Sequence, residues 1–152
     1  DCFKTVFACL AARLLFADQP DMVGLLVLYA AFGAILGHNY PFYMHFNGGK
    51  GIACTAGLLV SIDWRLTLIC LIVFAVIVGV TRYVSLGSLV VVSIFLAWMV
   101  VFGTMGEYGV RAGLLWEFYG VAGMIAALAF LRHRANLKRL FSGTENKIGV
   151  KK

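Results

Sequence analysis

Apolar residues run along this chain in six blocks, at about 2–17, 22–37, 51–62, 66–81, 84–103 and 113–131. Between them stand Asp18-Gln19-Pro20-Asp21, a long segment from His38 to Lys50, Asp63-Trp64-Arg65, Thr81-Arg82, and the stretch from Gly103 to Arg111. A helix crossing the hydrocarbon core of a bilayer needs about 20 residues at about 1.5 Å each. The last two blocks meet that length comfortably and the others are short. Block 51–62 is read either as a crossing or as a half-crossing, re-entrant helix. The pattern predicts an all-α, polytopic transmembrane bundle of about six short helices.

Composition supports lipid as the outer solvent. Of 152 residues, 62% are hydrophobic and only 13% charged, too few polar groups to coat a soluble domain of this size. Residues 1–152 are read as a single transmembrane domain, with 132–152 as a basic tail. The 17 glycines suit close packing of membrane helices. The four cysteines (Cys2, Cys9, Cys54 and Cys70) lie in or beside apolar runs without a CxxC spacing, and read as small core residues. The chain opens on Asp1 with neither Met nor a cleavable signal sequence, so it is expected to have lost its natural N-terminus.

Charge gives the sidedness. If all six blocks cross, one face receives Lys4, Lys50, Arg82, Arg132, Arg134, Lys138, Arg139, Lys147, Lys151 and Lys152, ten basic residues in all. The other receives Arg13, Arg65 and Arg111, three, beside Asp18, Asp21, Asp63, Glu107 and Glu117. Ten against three makes the first face cytoplasmic by the positive-inside rule. A non-crossing 51–62 would invert everything before it.

The same face holds most of the polar chemistry. Gly48-Gly49-Lys50-Gly51 combines glycines able to turn N–H groups toward an anion, a cation, and the positive end of a following helix. That suits a phosphate or its ester. A flexible interfacial loop with a snorkelling lysine would use the same residues. It is not a Walker A loop, since Met44 stands where the first glycine belongs and Gly51 where Ser or Thr belongs. His38 and His45 are separated by Pro41, which breaks any shared helix, so no metal pair is expected. Arg82, followed by Ser85 and Ser88, reads as a membrane anchor or as a phosphate ligand. His133 and Asn136, three apart on a continuing last helix, share a face that also carries Leu137 and Leu140. They could supply a base, an acid or a phosphate donor, and a basic helix lying on anionic lipid is the simpler alternative.

Other chemistries are missing. No histidine has Asp five positions on (Tyr43, Lys50 and Lys138 stand there), there is no GxSxG elbow, and there is no Asp-rich cluster for Mg²⁺. Phosphate chemistry here is therefore expected to use Lys, Arg and backbone amides, with no metal and no cofactor.

Gly37-His38-Asn39-Tyr40-Pro41 with Gly48-Gly49-Lys50-Gly51, then Thr81-Arg82-Tyr83-Val84-Ser85-Leu86-Gly87-Ser88, then Arg132-His133-Arg134-Ala135-Asn136 with Gly143-Thr144-Glu145-Asn146, occur in that order. Together they resemble the bacterial acyl-phosphate:glycerol-3-phosphate acyltransferase family (PlsY type) over essentially the whole chain. Asp1 and Lys4 resemble its early Asp-x-x-Lys. The resemblance implies a multi-pass inner-membrane enzyme of phospholipid synthesis, with its active site and C-terminus cytoplasmic. It would transfer an acyl group from acyl-phosphate to glycerol 3-phosphate, giving lysophosphatidate and phosphate.

By the same resemblance Gly48, Gly49, Lys50 and Gly51 form the phosphate-binding loop, and Arg82, Ser85 and Ser88 add contacts. His133 and Asn136 form the polar pair, with Lys50 counted beside them as catalytic; Glu145 is structural and His38 orients the glycine loop. Either His133 or a substrate phosphate oxygen takes the proton. Partners would be the two substrates and membrane lipid, with no nucleic acid; neither acyl-chain preference nor oligomeric state is legible. The family's first motif, which supplies a serine and an arginine, should precede Asp1. Its absence implies a chain one helix short of seven, whose activity is expected to depend on that segment. Asn47 stands where many relatives have a basic residue. The competing function is a non-enzymatic carrier or anion-binding membrane protein. Glu117 near the outer end is the only plainly intraspan acid and no repeat is evident, which favours the enzyme.

Overall fold

A computed structural model describes residues 1–149, and among them every regular element is helical. Val150, Lys151 and Lys152, the end of the expected basic tail, lie outside the described residues. The α-helices are α1 (Cys2–Leu15), α2 (Val23–Asn39), α3 (Ile52–Ile62), α4 (Trp64–Thr81), α5 (Val84–Thr104), α6 (Leu115–Arg132) and α7 (Arg134–Phe141). Two 3₁₀ turns, Phe42–Met44 and Ala112–Leu114, lead into the glycine loop and into α6. Pro41 does stop α2, whose last helical residue is Asn39.

Four segments are long and apolar enough to cross a membrane: Val23–Met44, Trp64–Thr81, Val84–Thr104 and Ala112–Arg132. The bundle closes because α1 and α2 pair and both pack on α3, α4 pairs with α5, α5 with α6, and α6 returns to α2. Leu28 and Ile35 from α2, Leu58 from α3, Phe95 and Met99 from α5, and Phe118 and Ile125 from α6 meet in the core. Gly57 permits the α1–α3 contact, since a Cβ there would strike the Cys2 carbonyl. By contrast α4 buries only Leu66 and Cys70 and turns Leu68, Leu71, Ile72, Val76 and Val80 outward, as a lipid-facing helix does.

The short α3 joins two polar clusters. Its 11 residues span only about 16 Å, yet its two ends serve opposite polar clusters. Gly51, before its first turn, lies with His38 and Lys50; Asp63, after its last, lies with Arg13, Arg65 and Tyr108. These clusters are thus closer together along α3 than the thickness of a hydrocarbon core, about 30 Å. Polar chemistry is recessed toward the depth of acyl chains.

The final helix differs from expectation. His133 and Asn136 do not share one continuous helix, because α6 ends at Arg132 and α7 begins at Arg134. At the break the His133 N–H is shared between the Ala129 and Phe130 carbonyls, and its imidazole Nδ1 lies 2.8 Å from the Ala129 carbonyl. The Ala129 carbonyl thus receives both the backbone N–H and the side chain of His133. Leu137 and Leu140 are half-buried, and His133 and Asn136 are both buried.

Asp63 organises the opposite end. Its carboxylate caps α4 by accepting the Arg65 N–H at 2.8 Å, and also accepts from the Arg65 guanidinium, Trp98 Nε1 at 3.1 Å and the Tyr108 hydroxyl at 3.2 Å. Glu107 pairs with the same guanidinium. Burial opposes the charge, but the Arg65 and Trp98 bonds outweigh it and hold the Asp63 carboxyl down to about 2. Because the folded value lies below the unfolded one, this stabilisation is complete above an ordinary carboxylate pKa of about 4 and is lost as pH falls toward 2. Asp63→Ala is expected to cost about 2–4 kcal/mol, read as a lowered Tm in detergent, with activity of the folded fraction preserved. An unchanged Tm would contradict this clamp.

Candidate functional site

At the other end, α2, α3, α4, α5 and α7 surround a cavity of about 550 Å³. His38, Lys50, Gly51, Ser85, Ser88, His133, Asn136 and Glu145 line it, although they come from segments up to 107 residues apart. The helix that starts at Ile52 points its first-turn N–H groups, which have no intrahelical partner, at this end. Gly51 takes φ +79°, a left-handed turn that places Lys50 beside the helix start.

A chain of charge-assisted bonds sets the Lys50 ammonium. It donates to Asn136 Oδ1 at 2.7 Å, Asn136 Nδ2 donates to Glu145 Oε1 at 2.8 Å, and Arg139 Nε donates to Glu145 Oε2 at 2.9 Å. A cation on one side and an anion on the other fix the orientation of the Asn136 amide. Burial disfavours the Glu145 charge, but its bonds from Asn136 and Arg139 more than compensate, so its carboxyl sits below the ordinary value. Glu145 thereby holds Asn136 in place.

His133 is 2% exposed. Burial pushes its pKa down, the bond to Ala129 works the other way, and the nearby Lys50 charge pushes it down further. The imidazole is therefore neutral at pH 7. With Nδ1 bonded to a carbonyl, Nδ1 carries the hydrogen and Nε2 carries a lone pair. Ser85 contributes a buried hydroxyl without a hydrogen-bond partner among the described residues. Ser88 lines the cavity too, but its hydroxyl donates to the Val84 carbonyl at 2.9 Å.

Three residues expected at the anion site stand outside its lining. The Gly48 and Gly49 N–H groups donate to the carbonyls of Asn39 and His38, at 3.2 and 3.3 Å. A Cβ on Gly48 would meet the His38 carbonyl, and one on Gly49 the His38 ring. In this conformation both glycines permit the loop to pack on His38, while Lys50 and the start of α3 face the cavity. Arg82 ends α4 in a left-handed conformation, φ +62°, with its side chain exposed. Its carbonyl accepts the Ile148 N–H at 2.9 Å.

In the sequence Arg132 reads as a positive-inside charge that opens the last motif, with no contact of its own assigned. Its Nη2 donates to the Gly48 carbonyl at 2.7 Å and its Nε to the Gly49 carbonyl at 3.1 Å, tying the glycine loop to α6. The guanidinium also lies over the Tyr40 ring. A lone basic residue at the end of a span carries no local sign of such a role. His38 Nδ1 lies 3.2 Å from both Asp1 Oδ1 and Lys4 Nζ. Asp1, His38 and Cys54 bring donor atoms within 4.8 Å of one another. The Lys4 ammonium, 3.1 Å from Asp1, already supplies that cluster with a positive charge.

The polar cavity borders an apolar one. Ile52 and Phe74 line it and also line a groove of about 410 Å³ between α3, α4 and α5, whose other walls include Thr55, Ala56, Leu59, Cys70 and Val92.

Residues 1–143 match the family model described as glycerol-3-phosphate acyltransferase. The chain is 38% identical over 156 residues to a glycerol-3-phosphate acyltransferase of Clostridioides difficile (strain 630), covering 100% of this chain and 69% of that protein. It is also similar to crystal structures of PlsY (YgiH), an integral membrane glycerol 3-phosphate acyltransferase. The glycerol 3-phosphate form superposes with a TM-score of 0.75 at 27% identity, covering 96% of this chain and 68% of that one. The lysophosphatidic acid form gives 0.73 at 28%, covering 96% and 69%. The chain spans about two thirds of the length of the curated relatives it matches.

Proposed function

The chain belongs to the glycerol-3-phosphate acyltransferase family, and on that premise we propose that it transfers a fatty acyl group from acyl-phosphate to the 1-hydroxyl of glycerol 3-phosphate. The products are lysophosphatidate and inorganic phosphate. The observation that best supports this is the shared wall at Ile52 and Phe74, where a cationic, hydroxyl-lined cavity borders an apolar groove. A lipid phosphate and its acyl chain need that pairing of environments.

In the proposed mechanism Lys50 and the first turn of α3 hold phosphate oxygens, and Ser85 donates its free hydroxyl to one of them. The acyl chain lies in the groove with its carbonyl near Ile52. His133 Nε2 accepts the proton of the 1-hydroxyl as the hydroxyl oxygen bonds to the acyl carbon. The tetrahedral intermediate then collapses, the bond from carbon to the phosphate oxygen breaks, and phosphate leaves with the proton returned from His133 Nε2. A mixed anhydride carries its own good leaving group, so orientation and charge neutralisation supply most of the acceleration. Ten basic residues against three favour placing this end of a multi-pass chain at the cytoplasmic face of the bacterial inner membrane.

The donor is tested with labelled glycerol 3-phosphate in detergent, scoring label that enters the lipid phase. Palmitoyl-phosphate should support transfer and palmitoyl thioesters should not; the reverse preference would reject the acyl-phosphate assignment. The groove makes a separate prediction. Ala56 is exposed in its wall, about one turn from Ile52, so Ala56→Phe fills the groove without entering the core. Palmitoyl-phosphate turnover should fall by about tenfold relative to a short-chain acyl-phosphate, a difference of about 1.4 kcal/mol. Equal loss on both donors would place the acyl chain elsewhere.

A further inference from the structure

We propose that Lys147 is a second phosphate-binding cation of the cavity, carried by the return strap 143–148; this rests on the two-phosphate acyl transfer proposed above. The strap is fixed at three points. Gly143 reverses the chain at φ +69°, the Glu145 carboxylate is bonded by Asn136 and Arg139, and the Ile148 N–H donates to the Arg82 carbonyl at 2.9 Å. That course bridges from α7 to the turn between α4 and α5, and it sets Asn146, Lys147 and Ile148 in the cavity wall.

Charge makes the case. Donor and acceptor each bring a phosphate. Among the described residues that line the cavity, the permanently cationic side chains are Lys50 and Lys147. Arg82 lies outside the lining, His133 is neutral, and Arg139 is spent on Glu145. Two phosphates bring more negative charge than the Lys50 ammonium alone neutralises, so a second cation in the lining favours their binding beside any charge that the family's first motif adds. Lys147 forms no ion pair among the described residues. Its ammonium rests 5.5 Å over the Tyr83 ring, a weak exposed contact that a phosphate readily replaces. The flexible stem lets it turn from the ring to an anion beside Lys50. Its place is at the mouth, so it takes the outer of the two phosphates.

The test compares wild type with Lys147→Ala, Lys147→Arg and Lys138→Ala, using purified protein in detergent with matched thermal unfolding. Binding of inorganic phosphate and of glycerol 3-phosphate is titrated calorimetrically at two salt concentrations, and KM and kcat are measured beside it. Lys147→Ala should weaken glycerol 3-phosphate binding about tenfold and flatten its salt dependence, raising KM while kcat changes less than threefold. Lys147→Arg should recover most of the loss, and Lys138→Ala, whose residue lies outside the cavity, should bind as wild type does. Unchanged binding in Lys147→Ala, an equal loss in Lys138→Ala, or a wild type that binds no phosphate would each overturn the inference. If Lys147→Ala fails to fold, Lys147→Gln against Lys147→Arg decides by the same criterion. Lys147-dependent phosphate binding without acyl transfer, in a chain that carries the family's first motif ahead of Asp1, would reject the acyltransferase and keep this cation site.

Discussion

Lys50→Ala is expected to lower acceptor-dependent turnover by about 10²–10³-fold, the scale seen when one preorganised charge-stabilising donor is removed. Lys50 faces the cavity at the start of α3, so the variant removes a full charge while leaving the helix start in place. It also strands Asn136 Oδ1, whose partner at 2.7 Å disappears. Leaving a buried acceptor unpaired adds about 1–3 kcal/mol to the damage. Lys50→Arg should recover little, because the longer planar fork cannot occupy the position a compact ammonium takes against Asn136. The measurement is phosphate release from palmitoyl-phosphate with and without glycerol 3-phosphate. Wild-type rates in Lys50→Ala would remove this residue from the site.

His133→Ala should lower kcat by about 10²–10⁴-fold, the usual worth of a general base, with a smaller change in KM for glycerol 3-phosphate. Burial keeps the imidazole neutral, and the Ala129 bond presents the Nε2 lone pair. The folded pKa lies below the ordinary 6.5. Activity should therefore persist as pH drops through 6.5 and fall only at the lower folded value, an acid limb absent from the residual activity of His133→Ala. Stability follows the same sign. At acid pH the unfolded chain binds the proton more readily, so the stabilisation from neutral His133 is full above about 6.5 and is lost as pH falls through the folded pKa. Near-normal kcat with a raised KM would exclude His133 as an essential base and give the proton to a substrate phosphate oxygen.

The helices were readable because lipid demands unbroken apolar runs to satisfy the backbone. The run at 84–103 is the helix Val84–Thr104, and the run at 22–37 is Val23–Asn39. Eight of the expected site residues, from His38 to Glu145, do line one cavity. What escaped were features set by tertiary contact. Nothing beside Asp63 announces that Trp98 and Tyr108 will donate to it from 35 and 45 residues away. Periodicity places His133 and Asn136 on one helix, while the folded chain ends α6 at Arg132 and starts α7 at Arg134. Gly48 and Gly49 signalled backbone freedom correctly, but composition could not tell an anion-facing N–H from one that packs on His38. Arg132 and Lys147 looked like surface charge, since only the folded chain carries them to the glycine loop and to the cavity mouth.

The most direct test is phosphate release from palmitoyl-phosphate by the purified protein in detergent, with glycerol 3-phosphate present or omitted and no metal added. The expected result is release that depends on glycerol 3-phosphate, matches lysophosphatidate formed mole for mole, and collapses in Lys50→Ala. Release indifferent to glycerol 3-phosphate, or none from well-folded protein even with the family's first motif restored ahead of Asp1, would contradict acyl transfer and leave an anion-binding membrane protein.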